Sequence, residues 1–126
     1  MGASMTKAAA IYQFWSGFGL TAYEENTVSD DAKFPYITYQ LVTDSFDHEI
    51  PLTASLWYRS ESWTTINAKT EEISQKISRG GKVIPCDGGA IWLKRGQPFA
   101  QNMGDESDSL IKRKYLNITA EFITAD

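Results

Sequence analysis

The only histidine of the chain, His48, stands between Asp47 and Glu49. A carboxylate beside a histidine can support general acid–base chemistry, but a catalytic site also needs a nucleophile held by a rigid scaffold. No Gly-x-Ser-x-Gly elbow that would present one occurs in the 126 residues. The histidine falls in a polar break between two predicted strands. We therefore favour a solvated turn, with a hydrolase using His48 as the alternative.

Cys86 is the only cysteine, and it lies between Pro85 and Asp87. A reactive thiol needs a nearby cation or a helix N-terminus to lower its pKa, whereas the closest charge in sequence is a carboxylate. One cysteine and one histidine also exclude an intramolecular disulfide and a zinc site of four Cys or His ligands. We predict no catalytic, cofactor-binding or metal-binding residues, and no enzyme activity.

Acidic residues and glycines form short clusters whose spacing does not match a known site. The run 105–108 resembles a calcium loop but lacks the glycine and the glutamate that such a loop places at its sixth and twelfth positions. The glycine pairs at 80–81 and 88–89 follow neither phosphate-binding nor dinucleotide-binding spacing. We interpret these clusters as solvated loops and turns.

Composition favours one soluble domain. Of the 126 residues, 42% are hydrophobic and 22% are charged, which allows a sizeable core. We predict a single domain over residues 6–126, with residues 1–5 as a disordered start or an added leader. The net charge of −4 disfavours phosphate-driven binding of nucleic acid. No apolar run approaches the roughly 20 residues that span a bilayer, and no secretory signal is apparent, so we expect a cytoplasmic protein.

Two helices are predicted because apolar residues recur every three or four positions. The first covers about residues 6–18, and the second runs from an N-cap at Ser62 to a stop at Gly80-Gly81. The acidic segment 23–33 is predicted to be a loop. The residues predicted to face the core from the two helices are Ile11, Phe14, Trp15, Phe18, Trp63, Ile66, Thr70, Ile73 and Ile77.

Alternating apolar and polar residues predict strands over 36–42, 50–59, 82–85, 90–94, 97–102 and 110–124. The short break after the first strand favours an antiparallel hairpin with the second. Asp87-Gly88 is a strong turn signal, and Pro98 suggests a sheet edge or the start of a strand. Together these elements predict an α+β fold, with a single mixed, mostly antiparallel β-sheet packed by two main α-helices.

Several aromatic side chains alternate away from the predicted core. Such residues either pack under a helix on that face or form a contact surface, and both alternatives stay open here. On the last strand, Lys112 and Lys114 point to one side and Arg113 to the other. The lysines either blunt an edge strand against unwanted pairing or contact another subunit. The candidate interface residues are Tyr36, Trp57, Tyr115, Lys112 and Lys114.

Three segments carry a resemblance to a known family: FWSGFGL at 14–20, AYEEN at 22–26 and FPYITY at 34–39. Together with a strand bearing a tryptophan and a helix containing TEEIS, they resemble small prophage proteins encoded among the tail genes of long-tailed phages of low-GC Gram-positive bacteria. The most similar functional class is the tail terminator, also called the tail completion or head–tail joining protein. The resemblance covers roughly residues 10–123 and rests on packing patterns.

The resemblance implies a hexameric ring that caps the tail tube protein and meets the head connector or stopper protein. DNA would pass through without specific binding, and no membrane would be involved. Assembly would take place in the bacterial cytoplasm, and the finished ring would lie in the virion. The acidic loops at 24–25 and 105–108 are candidates for positions that face the lumen or the tube.

Two other functions remain as alternatives. The first is a head-completion protein or another minor tail protein, which would share the same setting. The second belongs to a different class: a small sugar- or peptide-binding module with Tyr36, Trp57 and Trp92 as a stacking platform.

Overall fold

The computed structural model of the chain describes residues 5–104 and 107–126. Its six strands form one sheet in the order β1-β2-β3-β6-β5-β4. Strands β1 and β2 are parallel, and every other neighbouring pair is antiparallel. The predicted α+β fold with a mixed, mostly antiparallel sheet and two helices is therefore confirmed. In chain order the elements are α1 Lys7–Ser16, β1 Thr21–Glu24, β2 Tyr36–Tyr39, β3 His48–Arg59, α2 Thr64–Ile77, β4 Lys82–Cys86, β5 Gly89–Gly104 and β6 Ile111–Thr124.

The core lies between the two helices and one face of the sheet. The buried apolar residues of both helices and of the strands form a single cluster. On β6, buried and partly buried residues alternate without interruption from Lys112 to Phe122. The helix residues predicted to face the core are buried, except that Trp63 is only partly so. Met5, which the prediction left outside the domain, also packs against this core.

The start of α2 differs from its prediction by one residue. The helix begins at Thr64, and the cap position is Trp63, whose backbone is already near-helical and whose side chain makes no capping bond. Ser62, the predicted N-cap, still accepts a hydrogen bond from the Thr64 N–H at 3.0 Å. The serine therefore satisfies one orphan donor of the first turn from one position farther out.

β2 ends at Tyr39, three residues before its predicted end, and β3 begins at His48, two residues before its predicted start. Two further strand predictions need correction. Thr21–Glu24, placed partly in a predicted loop, forms β1 and pairs with β2; its only buried residue is the small Ala22, which leaves almost no alternation to detect. The segments 90–94 and 97–102 belong to one long strand, β5, with a shift of register between Arg95 and Ala100. Pro98 falls inside that irregularity rather than at the start of a strand, because a proline cannot donate to the ladder.

The predicted Asp87-Gly88 turn joins β4 to β5. The residue after it, Gly89, has φ +154°, and a Cβ there would lie 2.0 Å from the carbonyl oxygen of Ile123 on β6. Only glycine allows this close approach of the two strands. The turn thereby places β5 directly beside β6.

Candidate functional site

The face of the sheet opposite the core is not covered by either described helix. Its centre holds Tyr36, Trp57 and Arg113, which lie opposite one another on β2, β3 and β6. Tyr23 on β1 and Tyr115 on β6 flank them. We call Tyr23, Tyr36, Trp57, Arg113 and Tyr115 the aromatic row. All five are partly buried, so each keeps some surface available for a partner.

Contacts within the aromatic row run continuously across four strands. The rings of Tyr36 and Trp57 are stacked, with centroids 6.2 Å apart and planes at 16°. Tyr23 meets Tyr36 edge-on at 5.9 Å. The guanidinium of Arg113 lies 4.8 Å from the Trp57 ring centroid and 5.3 Å from that of Tyr115, within the range of a cation–π interaction.

Hydrogen bonds hold the row in place. Trp57 Nε1 donates to Thr38 Oγ1 at 2.8 Å, and Arg113 Nε donates to Ser55 Oγ at 2.9 Å. Burial raises the pKa of Tyr36 from its ordinary value of 10.0, with a smaller contribution from Tyr23. A surface ordered before binding loses less conformational entropy when a partner arrives.

Three of the five candidate interface residues, Tyr36, Trp57 and Tyr115, lie together on this uncovered face. The alternative that they pack under a helix is therefore wrong. Sequence reasoning missed Tyr23 and Arg113 as members of the row, and it placed Tyr23 in a loop rather than on β1. It also missed two exposed neighbours: Phe34, whose ring is 5.4 Å from Tyr36, and Met103, which lies opposite Arg113. The position of Phe34, two residues before Tyr36, could have indicated the first of these.

The other two candidates, Lys112 and Lys114, lie on the core face and are only 9% and 8% exposed. Their Nζ atoms are 5.8 and 5.4 Å from the Trp63 ring centroid. Lys112 Nζ donates to the Ser109 carbonyl, and Lys114 Nζ donates to Asn102 Oδ1. Neither an exposed interface role nor edge protection is correct, because the lysines continue the inward alternation of Leu116 and β6 is an interior strand.

Replacement of Lys114 by methionine tests this burial. Burial lowers the pKa of Lys114 from its ordinary value of 10.5, and Glu71 opposes the shift only in part. Since the unfolded chain holds this proton more tightly than the folded one, the charged lysine lowers the stability of the fold at neutral pH, and this cost disappears as the pH rises from the folded pKa to 10.5.

Lys114→Met removes this cost. We expect its stability relative to wild type to be equal or higher at pH 7 and to fall towards pH 10, as measured by urea unfolding at both values. Lys76→Met, at an exposed position of α2, is the matched control. A relative stability that is the same at both pH values would contradict the buried ammonium.

The two residues considered for catalysis, His48 and Cys86, have different surroundings. His48 is exposed but is the first residue of β3 rather than part of a turn. Its Nδ1 lies 3.1 Å from Asp44 Oδ1 rather than against either flanking carboxylate. That hydrogen bond, helped by one from the Ser45 backbone, lowers the pKa of Asp44. Burial raises the pKa of the Cys86 thiol despite the opposing effect of Lys7. This environment disfavours a thiolate nucleophile.

Residues 5–104 and 107–126 contain no group of three His, Cys, Asp or Glu side chains that could hold a metal ion. The acidic loop predicted at 105–108 lies partly outside the described residues. Within the same described ranges, no helix is both long and apolar enough to cross a membrane.

Trp92 does not join the proposed stacking platform. It pairs with Glu121 of β6, whereas Trp57 pairs with Arg113. The two positions on β6 are therefore roughly 26 Å apart at about 3.3 Å per residue. Trp92 Nε1 donates to the Gly80 carbonyl at 2.9 Å, and Lys94 Nζ lies 4.1 Å from the ring centroid. Trp92 thus belongs to a different part of the surface.

The chain matches no protein-family model and no curated protein.

Proposed function

We propose that this protein is a phage tail terminator, a structural protein that assembles as a ring, caps the tail tube and joins it to the head connector. The observation that carries the proposal is the aromatic row on an uncovered face of the sheet. Together with the resemblance of the sequence to tail-gene products, it favours assembly with other proteins over chemistry on a small substrate.

The composition of the row supports a protein–protein contact. Tryptophan, tyrosine and arginine are the residue types most enriched among those that dominate binding energy at interfaces. Here they are adjacent, partly exposed and already held by Thr38 and Ser55. Phe34 and Met103, 38% and 42% exposed, extend the apolar surface on either side. A cluster of this kind is a common feature of an interaction site.

The same geometry disfavours the sugar-binding module. A sugar binds an aromatic platform by lying on a free ring face. Trp57 is on β3, with Tyr36 stacked from β2 on one side and Arg113 against it from β6 on the other. The Trp57 ring therefore has a contact from each of the two neighbouring strands, which leaves less of it free for a sugar. A head-completion or other minor tail protein remains the second candidate, because the same surface would serve it.

The proposed role sets expectations for the surroundings of the protein. It should act in the bacterial cytoplasm during assembly and then in the virion, between the tail tube and the connector. The net charge of −4 suits a ring through which DNA slides, because a basic lumen would hold the phosphates.

Capping of purified tail tubes tests this function. We expect the protein to bind one end of each tube, seen by electron microscopy, and to stop further polymerisation of the tube protein. Light scattering of the capped end, or of concentrated free protein, should give the mass of six 14.1-kDa chains. Protein that leaves tube growth unchanged and binds the connector alone would favour the head-completion role. Binding to neither would reject both.

A further inference from the structure

A second feature of the surface lies at the far edge of the sheet. Strand β4 pairs with β5 only from Gly89 to Leu93, and beyond Leu93 no described strand pairs with that edge of β5. The notch left there is an open cleft of about 590 Å³. Its lining includes Ser74, Arg79, Trp92, Lys94 and Arg95.

The charged side chains that line the cleft are all cationic. Lys94 is compensated by Glu49 and Glu121, at 2.9 and 3.0 Å. Arg95 is exposed, and its Nη1 donates a hydrogen bond to Ser74 Oγ at 2.8 Å. Arg79 is exposed and makes no hydrogen bond or ion pair with the described residues. Two guanidinium groups are therefore available for carboxylates, which arginine can bind in bidentate fashion.

The matching negative charge lies at the opposite edge. Segment 24–31, EENTVSDD, contains four carboxylates and no cation, and it continues directly from the edge strand β1. Glu25, Asp30 and Asp31 are exposed and form no ion pair with the described residues. Strands β1 and β5 are four positions apart in the sheet, roughly 19 Å at about 4.8 Å per strand. The segment therefore cannot fill the cleft of its own chain.

We propose that the cleft of one copy receives the acidic segment 24–31 of the next copy. Two different, complementary surfaces at opposite edges of a subunit are what a head-to-tail contact requires, and such a contact closes into a ring when its rotation allows. The unpaired edge of β5 supplies backbone donors and acceptors in addition to the arginines. This contact specifies how the subunits of the proposed terminator would join, and it rests on that function for its biological role.

Charge reversal on each side tests the contact. The cleft variant is Arg79→Glu with Arg95→Glu, and the segment variant is Glu25→Lys, Asp30→Lys and Asp31→Lys. The readout is the mass of the free protein by sedimentation equilibrium up to about 1 mM. We expect each variant alone to need at least about tenfold more protein than wild type for half-association, because both contact surfaces then carry like charges.

The decisive sample is a 1:1 mixture of the two variants. In an assembly where the two variants alternate, every contact pairs opposite charges. We therefore expect the mixture to regain wild-type association, in assemblies that contain an even number of subunits. Lys76→Glu with Lys82→Glu changes the net charge as much as the cleft variant, at positions outside the cleft, and should associate as wild type does. Circular dichroism of every variant separates unfolding from loss of contact.

Three results would overturn the proposal: a wild-type monomer throughout the concentration range, variants that associate normally, or a mixture that stays monomeric. If the cleft variant instead loses binding to short duplex DNA while its association is unchanged, the cleft is a phosphate site. None of these results bears on tube capping, since a tube tip can act as the template for a ring. Conversely, failure to cap tubes would leave a charge-dependent contact between copies intact.

Discussion

Ile73→Ala should lower the free energy of unfolding by about 2–5 kcal/mol, the range for an aliphatic side chain cut back in a well-packed core. Ile73 lies in the middle of α2, between Ile66 and Ile77, and all three are completely buried. Their side chains hold the helix on the core face of the sheet, and a rigid interior relaxes only partly into the space that remains.

Urea unfolding followed by circular dichroism measures this change. Gln75→Ala, on the exposed side of the same helix, should alter stability little and controls for helix propensity. Tube capping by folded Ile73→Ala protein should stay close to wild type, because the aromatic row lies on the other face of the sheet. A stability equal to that of the Gln75 variant would mean that α2 does not pack on the sheet through Ile73.

The elements with strong periodicity could be predicted from the sequence. The alternation of β6 from Leu116 to Phe122 and the spacing of Ile66, Ile73 and Ile77 each place several large residues on one face. β1 carries a single inward residue, the small Ala22, and its pairing with β2 is a long-range property. Four residues with so little apolar contrast do not differ visibly from a polar loop.

The candidate site could be predicted only in part, because alternation is a local property and packing is not. Alternation sends Tyr36, Trp57 and Tyr115 outward whatever their neighbours are. Whether a helix covers them depends on the face of the sheet against which both helices lie, and packing decides that face. For Lys112 and Lys114 the inward direction could be read from their parity with Leu116. The interior position of β6 could not be read, since β3 and β6 are distant in the chain and adjacent in the sheet.

The cleft could not be predicted from the sequence, because the residues that form it are distant in the chain. Arg79 follows α2 and Arg95 lies within β5, and nothing local in either segment indicates that they share a surface. The shift of register between Arg95 and Ala100 and the short length of β4 create the notch between them. Charge complementarity with segment 24–31 becomes visible only when strand order places the two at opposite edges.

Trp57→Ala should weaken tube capping by at least about 30-fold, the equivalent of roughly 2 kcal/mol, if the aromatic row is the docking surface. Trp57 is the central member of the row. Its ring separates Tyr36 from the Arg113 guanidinium, at 6.2 and 4.8 Å, so its removal disorders both neighbours as well as removing its own contact area. Trp57→Phe keeps an aromatic ring but loses the hydrogen bond to Thr38, and it should lie between wild type and alanine.

The measurement is the protein concentration that caps half of the purified tubes, counted by electron microscopy. Tyr12→Ala is the matched control, because Tyr12 is an aromatic residue 49% exposed on α1, away from the uncovered face. Thermal unfolding of each variant shows whether the fold is retained at the assay temperature. If folded Trp57→Ala caps tubes as well as the Tyr12 variant does, the aromatic row does not bind the tube, and the proposed function loses the observation that carries it.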